Sequence, residues 1–468
     1  MKIVVLNGSP KGNLSTTIQY VHFVKKKYAQ HDWSVHNISQ RIKTIEKKEA
    51  VFWEIVDDIR SAAGVIWTFP VYYLLVPYNL KRFIELIGER GAKDAFKDIY
   101  AASLSTSIHF YDHIAHKYIH AICDDLDMKY IDYFSADMYD LLEEKERKRL
   151  LLFAKYIFDA MDNQFLRPKS FRHVVQASFS YKPGAVTQKI DLDNQKMVVL
   201  TDAGDEETNL RRMIGQFNAM VSNQAELIDL NEIDIKGGCL GCLQCGYDNS
   251  CAYDRTDGFV DFFDNKIKTA DILVIAGSVK DRYLSSRWKL FFDRSFYNNH
   301  VPIMRDKQIG FILSGPLSQI PHLSQALEGF YECQQANIVD FMTDETGDST
   351  EIDFQLNALA KRLIQFSIDG YIRPASFLGL GGRKIIRDDI FGRFRFPFRA
   401  DHAFFKRKGM YDYPQKNYQV RLRNTAMLLL CQMPFFRKKV YTKRINFAII
   451  KSLQKVVERE GRATLSDH

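Results

Sequence analysis

Short β-branched, apolar runs that end in small or polar turns recur along the chain. They alternate with amphipathic stretches of helical period. Lys2–Leu6 reads KIVVL and Lys196–Leu200 reads KMVVL, each the pattern of a buried parallel strand. After the first, apolar strands are predicted near Ser34–Ile38, Gly64–Phe69, Ile99–Ser103 and Tyr130–Phe134. After the second they are predicted near Glu226–Leu230, Ile272–Ala276, Ile309–Leu313 and Ile338–Met342. Helical stretches such as Thr16–Tyr28, Tyr78–Ile87 and Ile114–Leu126 fall between them. Strand alternating with helix predicts βαβ units, an α/β class and doubly wound parallel sheets covered on both faces.

The two halves share more than their strands. Ala63–Phe83 reads AGVIWTFPVYYLLVPYNLKRF and Ala270–Phe291 reads ADILVIAGSVKDRYLSSRWKLF. Both run small residue, strand, loop, then a helix with Lys before an aromatic. This is an internal duplication, with one domain at 1–165, a second at 195–370 and a linker at 166–194. After Gly370 the pattern changes. GLGG at Gly379–Gly382 reads as a break. Phe391–Lys408, FGRFRFPFRADHAFFKRK, interleaves aromatic and basic residues, and helical stretches are expected near Tyr418–Gln432 and Tyr441–Glu458.

Composition changes this picture in three respects. With 468 residues, 46% hydrophobic and 26% charged, the chain has globular composition, which excludes a disordered or fibrous protein. No apolar run reaches the ~20 residues of a membrane span; the best, Ala426–Phe436, is short and contains Pro434. With MKIVVLNGSP leading straight into a strand, a cytoplasmic protein is expected, with membrane-peripheral contact through its tail as the variant. The charge is uneven. Residues 371–468 hold 22 Lys/Arg against 7 Asp/Glu, whereas 1–370 hold 43 against 50. A mildly acidic body thus carries a strongly basic extension at 371–468.

The candidate chemistry begins in the loop after the first strand, Asn7–Thr17, NGSPKGNLSTT. A Gly/Ser/Asn-rich loop between a parallel strand and a helix points backbone N–H groups and a positive dipole end at one spot. Ser9, Asn13, Ser15 and Thr16 add neutral donors and Lys11 a charge, which suits a phosphate monoester; an ordinary Ser/Asn helix cap is the alternative. The spacing is neither GxxxxGK[ST] nor GxGxxG. In an open parallel sheet the ligand crevice lies at the carboxyl ends of strands where their order reverses. The third-strand loop, Thr68–Lys81, brings Phe69, Tyr72 and Tyr73 there as flat apolar surface. Ser103–His113, after the fourth strand, adds hydroxyls and N–H groups for the polar edge of a ring.

On these residues the first domain resembles the NADPH-dependent FMN reductase family. Gly8-Ser9-Pro10-Lys11 with Ser15-Thr16, and Pro70-Val71-Tyr72 with Lys81, stand where that family has its first-loop and third-strand-loop motifs. The resemblance implies a flavodoxin-like five-stranded sheet of order 2-1-3-4-5 in each tandem half. It implies FMN, with its phosphate on Ser9, Lys11, Asn13, Ser15 and Thr16. The ring would lie against Pro70, Val71, Tyr72 and Tyr73 and against Ser105, Thr106 and Ser107, with NAD(P)H as a donor.

Four of the seven cysteines fall within thirteen residues, Cys239, Cys242, Cys245 and Cys251, in the spacing C-x2-C-x2-C-x5-C. Three thiolates two residues apart can take three corners of a cubane and a fourth can close it. A 4Fe–4S cluster is the first expectation; zinc and unmetallated, redox-active thiols are the alternatives. The stretch also resembles the compact cysteine motif of iron–sulfur flavoproteins, in which the cluster of one subunit approaches the flavin of another. Here the cysteines belong to the second domain. Its own first loop, Thr201–Leu210, carries Asp202, Asp205, Glu206 and Glu207, which repel a phosphate. One FMN in the first domain, one cluster in the second and an internal pseudo-dimer joining them is the resulting expectation. No catalytic residue stands out, although His109, Tyr111, Asp112 and His113 are placed near the ring.

Three function classes remain at this level. The first is an FMN oxidoreductase passing electrons between NAD(P)H or a reduced carrier, FMN and a cluster. The second is a plain FMN-dependent quinone or flavin reductase, and the third a non-catalytic module. The basic tail is a packed helical cap, a dock for an acidic carrier such as ferredoxin or flavodoxin, or a contact with an anionic membrane. Nucleic acid is not expected, because no recognition motif accompanies the charge. Further homo-oligomerisation is compatible with all three.

Overall fold

A computed structural model describes residues 1–457 apart from 177, 205–207, 223–224, 413–416, 442–449 and 452. Met1–Lys408 form one compact unit and Gly409–His468 a second. In the first unit β1 (Lys2–Asn7), β2 (Asp32–His36), β3 (Gly64–Pro70), β4 (Tyr100–Ser107) and β5 (Lys129–Asp137) make a parallel sheet of order β2-β1-β3-β4-β5. Its central strands are apolar on both sides, as a sheet covered by helices on both faces requires. The second sheet takes β6 (Met197–Thr201), β7 (Glu226–Asp229), β8 (Ile272–Lys280), β9 (Tyr283–Leu284), β10 (Gln308–Ser314) and β11 (Asn337–Thr343). Its parallel path, β7-β6-β8-β10-β11, repeats the 2-1-3-4-5 order of the first.

The second sheet has a sixth strand beyond the five expected. β9 pairs antiparallel with the end of β8, Val279 with Leu284 and Lys280 with Tyr283. Asp281 and Arg282 between them both have positive φ, +44° and +60°. That is the backbone of a two-residue hairpin whose twist matches the strands. The sequence hides it because neither residue is Asn or Gly. The first half has the same turn: Tyr72 and Leu75 exchange backbone hydrogen bonds, with Tyr73 at φ +38° and Leu74 at +64°.

Three apolar layers hold the first unit. One lies on the outer face of each sheet, around Tyr20 and Phe158 in the first half and Phe217 and Leu356 in the second. The third and largest is shared, joining Trp67, Phe83 and Ile114 to Trp288, Phe291 and Tyr331. Helices Tyr78–Glu89 and Ser286–Ser295 pack on each other there. Each carries a buried pair one turn apart, Lys81 with Glu85 (3.0 Å) and Lys289 with Asp293.

The two pairs make reciprocal contacts. Lys81 Nζ donates to the carbonyl of Lys280 and Lys289 Nζ to that of Tyr72, both at 3.0 Å. Glu85 accepts the N–H of Ser286 (2.6 Å) and Asp293 that of Tyr78 (2.7 Å). Each half therefore caps the other's helix and ties down the other's turn.

The C-terminal stretch of this unit departs from expectation at GLGG. Gly379–Gly382 lie inside the helix Phe377–Gly392, which packs on Pro321–Cys333. A Cβ at Gly379 would meet Glu332 Cβ at 2.8 Å, and one at Gly382 would meet Cys333 Sγ at 2.6 Å. The glycines allow close helix approach rather than end a helix. Helix Arg399–Arg407 follows. In the second unit helices span Tyr418–Leu430 and Pro434–Lys439; most of Tyr441–Glu458 lies outside the described residues. No described helix is long and apolar enough to cross a membrane.

Candidate functional site

At the carboxyl ends of β1, β3 and β4 a cavity of about 320 Å³ opens between the two halves. One end is polar. The loop after β1 is folded on itself: Asn7 Oδ1 accepts the N–H of Ser9 (3.1 Å), and Ser9 Oγ that of Lys11 (3.3 Å). Ser15 caps helix Thr16–Lys27, its Oγ accepting from Ile18 N. Thr16 and Thr17 open that helix, so their N–H groups lack intrahelical partners. Gly8 is required by close approach, since a Cβ there would stand 2.6 Å from Leu80 Cδ2. Ser9, Lys11, Ser15, Thr16, Thr106 and Ser107 all line this end.

The middle is apolar. Pro70, Val71, Tyr72 and Tyr73 form the wall expected of the third-strand loop. Tyr73 and Leu74 are bulky residues in the left-handed region, a conformation that costs about 1–3 kcal/mol at each position. Lys289 from the second half secures the turn through the Tyr72 carbonyl. Burial pushes both phenols well above their ordinary value, so they stay neutral.

Two expected residues lie elsewhere. Asn13 is exposed and its Oδ1 accepts from Asn37 Nδ2 (3.0 Å). Ser105 is on β4 itself, which runs to Ser107, not in a loop that begins at Ser103. Strand alternation then separates neighbours. Thr106 meets Thr17 on one face (2.6 Å), while Ser105 hydrogen-bonds His116 Nε2 on the other (2.8 Å). His116 is buried and pushed down to about 3, so it is a neutral brace.

The proton-transfer candidates are also displaced. His109, Asp112 and His113 are not in the cavity wall, and Tyr111 donates to the Leu378 carbonyl under the C-terminal helix. Lys81 likewise serves the interface between the halves rather than the cavity.

The remaining walls come from residues that the sequence assigned no part in this crevice. Cys239, Gly241 and Leu243 of the second half close one side. Gly241 has φ +63°, and a Cβ on it would stand 2.0 Å from Tyr72 Oη, so the cysteine loop lies directly on the aromatic wall. Ile386, Ile390, Phe394 and Phe398 form a roof from the C-terminal stretch. Arg393 fastens it, with two hydrogen bonds to the Asp137 carboxylate at the end of β5 (2.7 and 2.6 Å). The aromatic–basic alternation of Phe391–Lys408 was the available signal: Phe394 and Phe398 face the cavity and Arg393 pins the stretch.

His300 also lines the cavity, against the rings of Phe296 and Phe398. Its Nδ1 is 2.6 Å from Asp401 Oδ2, and its backbone N–H bonds the same fully buried carboxylate. One ring nitrogen is thus committed, and Nε2 is the one left for a ligand.

The four cysteines do not form the cage expected of a 4Fe–4S site. Among the described residues no group of three or more His, Cys, Asp or Glu side chains is arranged to hold a metal ion. Cys242 is exposed and Cys245 is buried. Cys245 Sγ is engaged with Asn299 Oδ1 (3.4 Å), and Cys239 Sγ accepts from Gly241 N (3.5 Å). Burial pushes the Cys239 and Cys245 thiols up to about 12. Neighbouring cysteines add to both shifts, Cys242 and Cys245 on Cys239 and Cys242 and Cys251 on Cys245, so the four side chains are neighbours in unlike environments.

The corresponding position of the second half is filled. Asp202 accepts from Trp288 Nε1 (2.9 Å) and Ser285 Oγ, and the indole lies against Gly277. The other acidic residues of that loop, Asp205, Glu206 and Glu207, lie outside the described residues.

The fold and the position of this crevice define a class. A family model described as flavodoxin-like fold matches residues 1–151. The first domain therefore carries the fold implied by its Gly8–Lys11 and Pro70–Tyr72 motifs. Solved structures similar to this chain include the flavoenzyme FerB, an NAD(P)H:(acceptor) oxidoreductase from Paracoccus denitrificans. It is 14% identical over 35% of this chain and 99% of that one, with a TM-score of 0.29. General stress protein 14 from Treponema denticola, in complex with FMN, is 15% identical over 35% and 99%, with a TM-score of 0.26. The apo NADH:FMN oxidoreductase EMOB is 19% identical over 37% and 94%, with a TM-score of 0.29. No curated protein matches the chain.

Proposed function

We propose that the chain is an FMN-dependent oxidoreductase that holds one flavin between its two halves and takes electrons from NAD(P)H or a reduced carrier. The observation that carries this reading is the composition of one cavity: a helix N-terminus with hydroxyls and Lys11 at one end, neutral aromatics in the middle and a roof from the C-terminal stretch. Its volume is in the range of small-molecule sites.

The residues fit the group. Ser9, Ser15 and Thr16 would hold the phosphate, where the dipole of helix Thr16–Lys27 favours negative charge. Tyr72 and Tyr73 offer the ring a flat, uncharged face, and the strained turn holds them ready. Phe394 and Phe398 exclude water. FMN, when bound, supplies the exchange between two-electron and one-electron donors and acceptors. His300, oriented by Asp401, presents its ring to the same cavity. Cys239 puts a neutral thiol on the same wall.

The iron–sulfur variant rests on the cysteine spacing and needs Cys242 to turn inward from its exposed position. Anaerobic purification with FMN, metal analysis and a visible spectrum before and after NAD(P)H tests the proposal. Bleaching of the flavin band with no bound iron supports a flavin-only enzyme, and a broad iron–sulfur band restores the cluster. A colourless protein that takes up no flavin refutes the proposal.

A further inference from the structure

Among the described residues of the second unit, one apolar segment is exposed along its length. All thirteen residues of helix Tyr418–Leu430 are exposed, and none is buried. The uncharged run Ala426–Phe436 includes Leu428, 66% exposed, and Phe435, 81% exposed, at the start of the next helix. Met427 to Leu430 are four consecutive apolar residues, which place apolar side chains all around the helix rather than on one face. A helix turn that is apolar all round is buried either in a large protein core or in a membrane.

Charge points the same way. Gly409–His468 holds twelve Lys/Arg against four Asp/Glu, which equals the net +8 of the entire chain. Basic residues flank the apolar run on both sides, with Arg421 and Arg423 before it and Arg437, Lys438 and Lys439 after it, all exposed. At eleven residues the run is too short to span a bilayer, and it is interrupted by the turn before Pro434. Its dimensions suit insertion to the headgroup–acyl boundary, with flanking cations among the headgroups.

We propose that Ala426–Phe436 is an interfacial anchor that seats this protein on an anionic bilayer. The inference is independent of the flavin reading. The test is flotation of the full chain with phosphatidylcholine vesicles, with and without phosphatidylglycerol. Binding is expected only with the anionic lipid and is expected to weaken with salt. Leu428→Glu with Leu429→Glu should lower it at least tenfold. Arg437→Gln with Lys439→Gln should lower it by about thirtyfold, at roughly a fivefold loss per basic residue. All four positions are exposed, so retained circular dichroism is expected and checks the fold. Equal binding to neutral vesicles, or binding indifferent to the leucine variant, overturns the proposal. So does a chain that fails to float and self-associates through this segment, shown by light scattering and reversed by Leu428→Glu with Leu429→Glu.

Discussion

Replacing Lys289 by Met probes how the two halves and the cavity wall are held together. Lys289 and Asp293 are both buried, and burial pushes the amine down and the carboxyl up, so a charge on either depends on the other. Without the ammonium, the Asp293 carboxylate keeps one donor, the Tyr78 N–H at 2.7 Å. The equivalent change at Lys81 is gentler. Glu85 keeps the N–H and Oγ of Ser286, both at 2.6 Å, and Arg82 Nη1 at 3.1 Å.

Opposite charges about 3 Å apart in an effective dielectric near 20 attract by about 5 kcal/mol, and stranding a buried charge typically costs about 3–5 kcal/mol. Lys289→Met is therefore expected at about 4–5 kcal/mol. Lys81→Met should cost about 2–3 kcal/mol, because each remaining donor recovers about 1 kcal/mol. Guanidinium unfolding followed by circular dichroism and by fluorescence of the buried Trp67 and Trp288 measures both. Lys289→Met with Asp293→Leu should recover part of the loss, since no charge is then stranded. An equal or reversed order of the two single variants, or losses below about 1 kcal/mol, would refute the reciprocal-pair argument.

Other outcomes follow from the same geometry. Gly241→Ala places a methyl against Tyr72 Oη at a positive φ, and should destabilise by about 1–2 kcal/mol while weakening FMN binding in a fluorescence titration. Arg393→Ala removes the roof's attachment to Asp137. Arg393 is partly exposed, so the effect should be about 1 kcal/mol, read as an approximately fivefold faster flavin release. Burial raises the Asp112 carboxyl, but hydrogen bonds from His109 and Ser135 outweigh it and hold it at about 2. A folded-state pKa below the unfolded one stabilises above about pH 4, and that contribution disappears as pH falls through 2. Asp112→Asn should therefore cost about 2 kcal/mol at neutral pH and flatten the acid limb of a melting-temperature profile.

Both sheets, their strand order and the duplication were legible because buried parallel strands are continuous apolar runs and the Lys-before-aromatic helices repeat in register. That the loop after β1 and Pro70–Tyr73 meet at one crevice was legible because both follow neighbouring strands at their carboxyl ends. Ser105 was misplaced because its polarity suggested a loop, whereas its partner is His116 on the opposite face from Thr106. The hairpin at Asp281–Arg282 lacks the Asn-Gly or Asp-Gly pair by which such a turn is read. The glycines of Gly379–Gly382 looked like a break because their purpose, approach to Glu332 and Cys333, depends on tertiary packing. The His300–Asp401 pair was invisible for the same reason, since Asp401 lies about a hundred residues from His300 in sequence.

The central claim is that a phosphate monoester sits at the N-terminus of helix Thr16–Lys27 in one of two similar halves. Titrating the chain with FMN and with riboflavin, alongside Thr16→Glu, tests it most directly. Thr16 is exposed at the first helical position, where a carboxylate favours the helix but opposes a phosphate. One FMN per chain is expected, with FMN binding weakened about a hundredfold by the substitution and riboflavin binding little changed. Two flavins per chain, none, or FMN binding indifferent to Thr16→Glu would contradict the account.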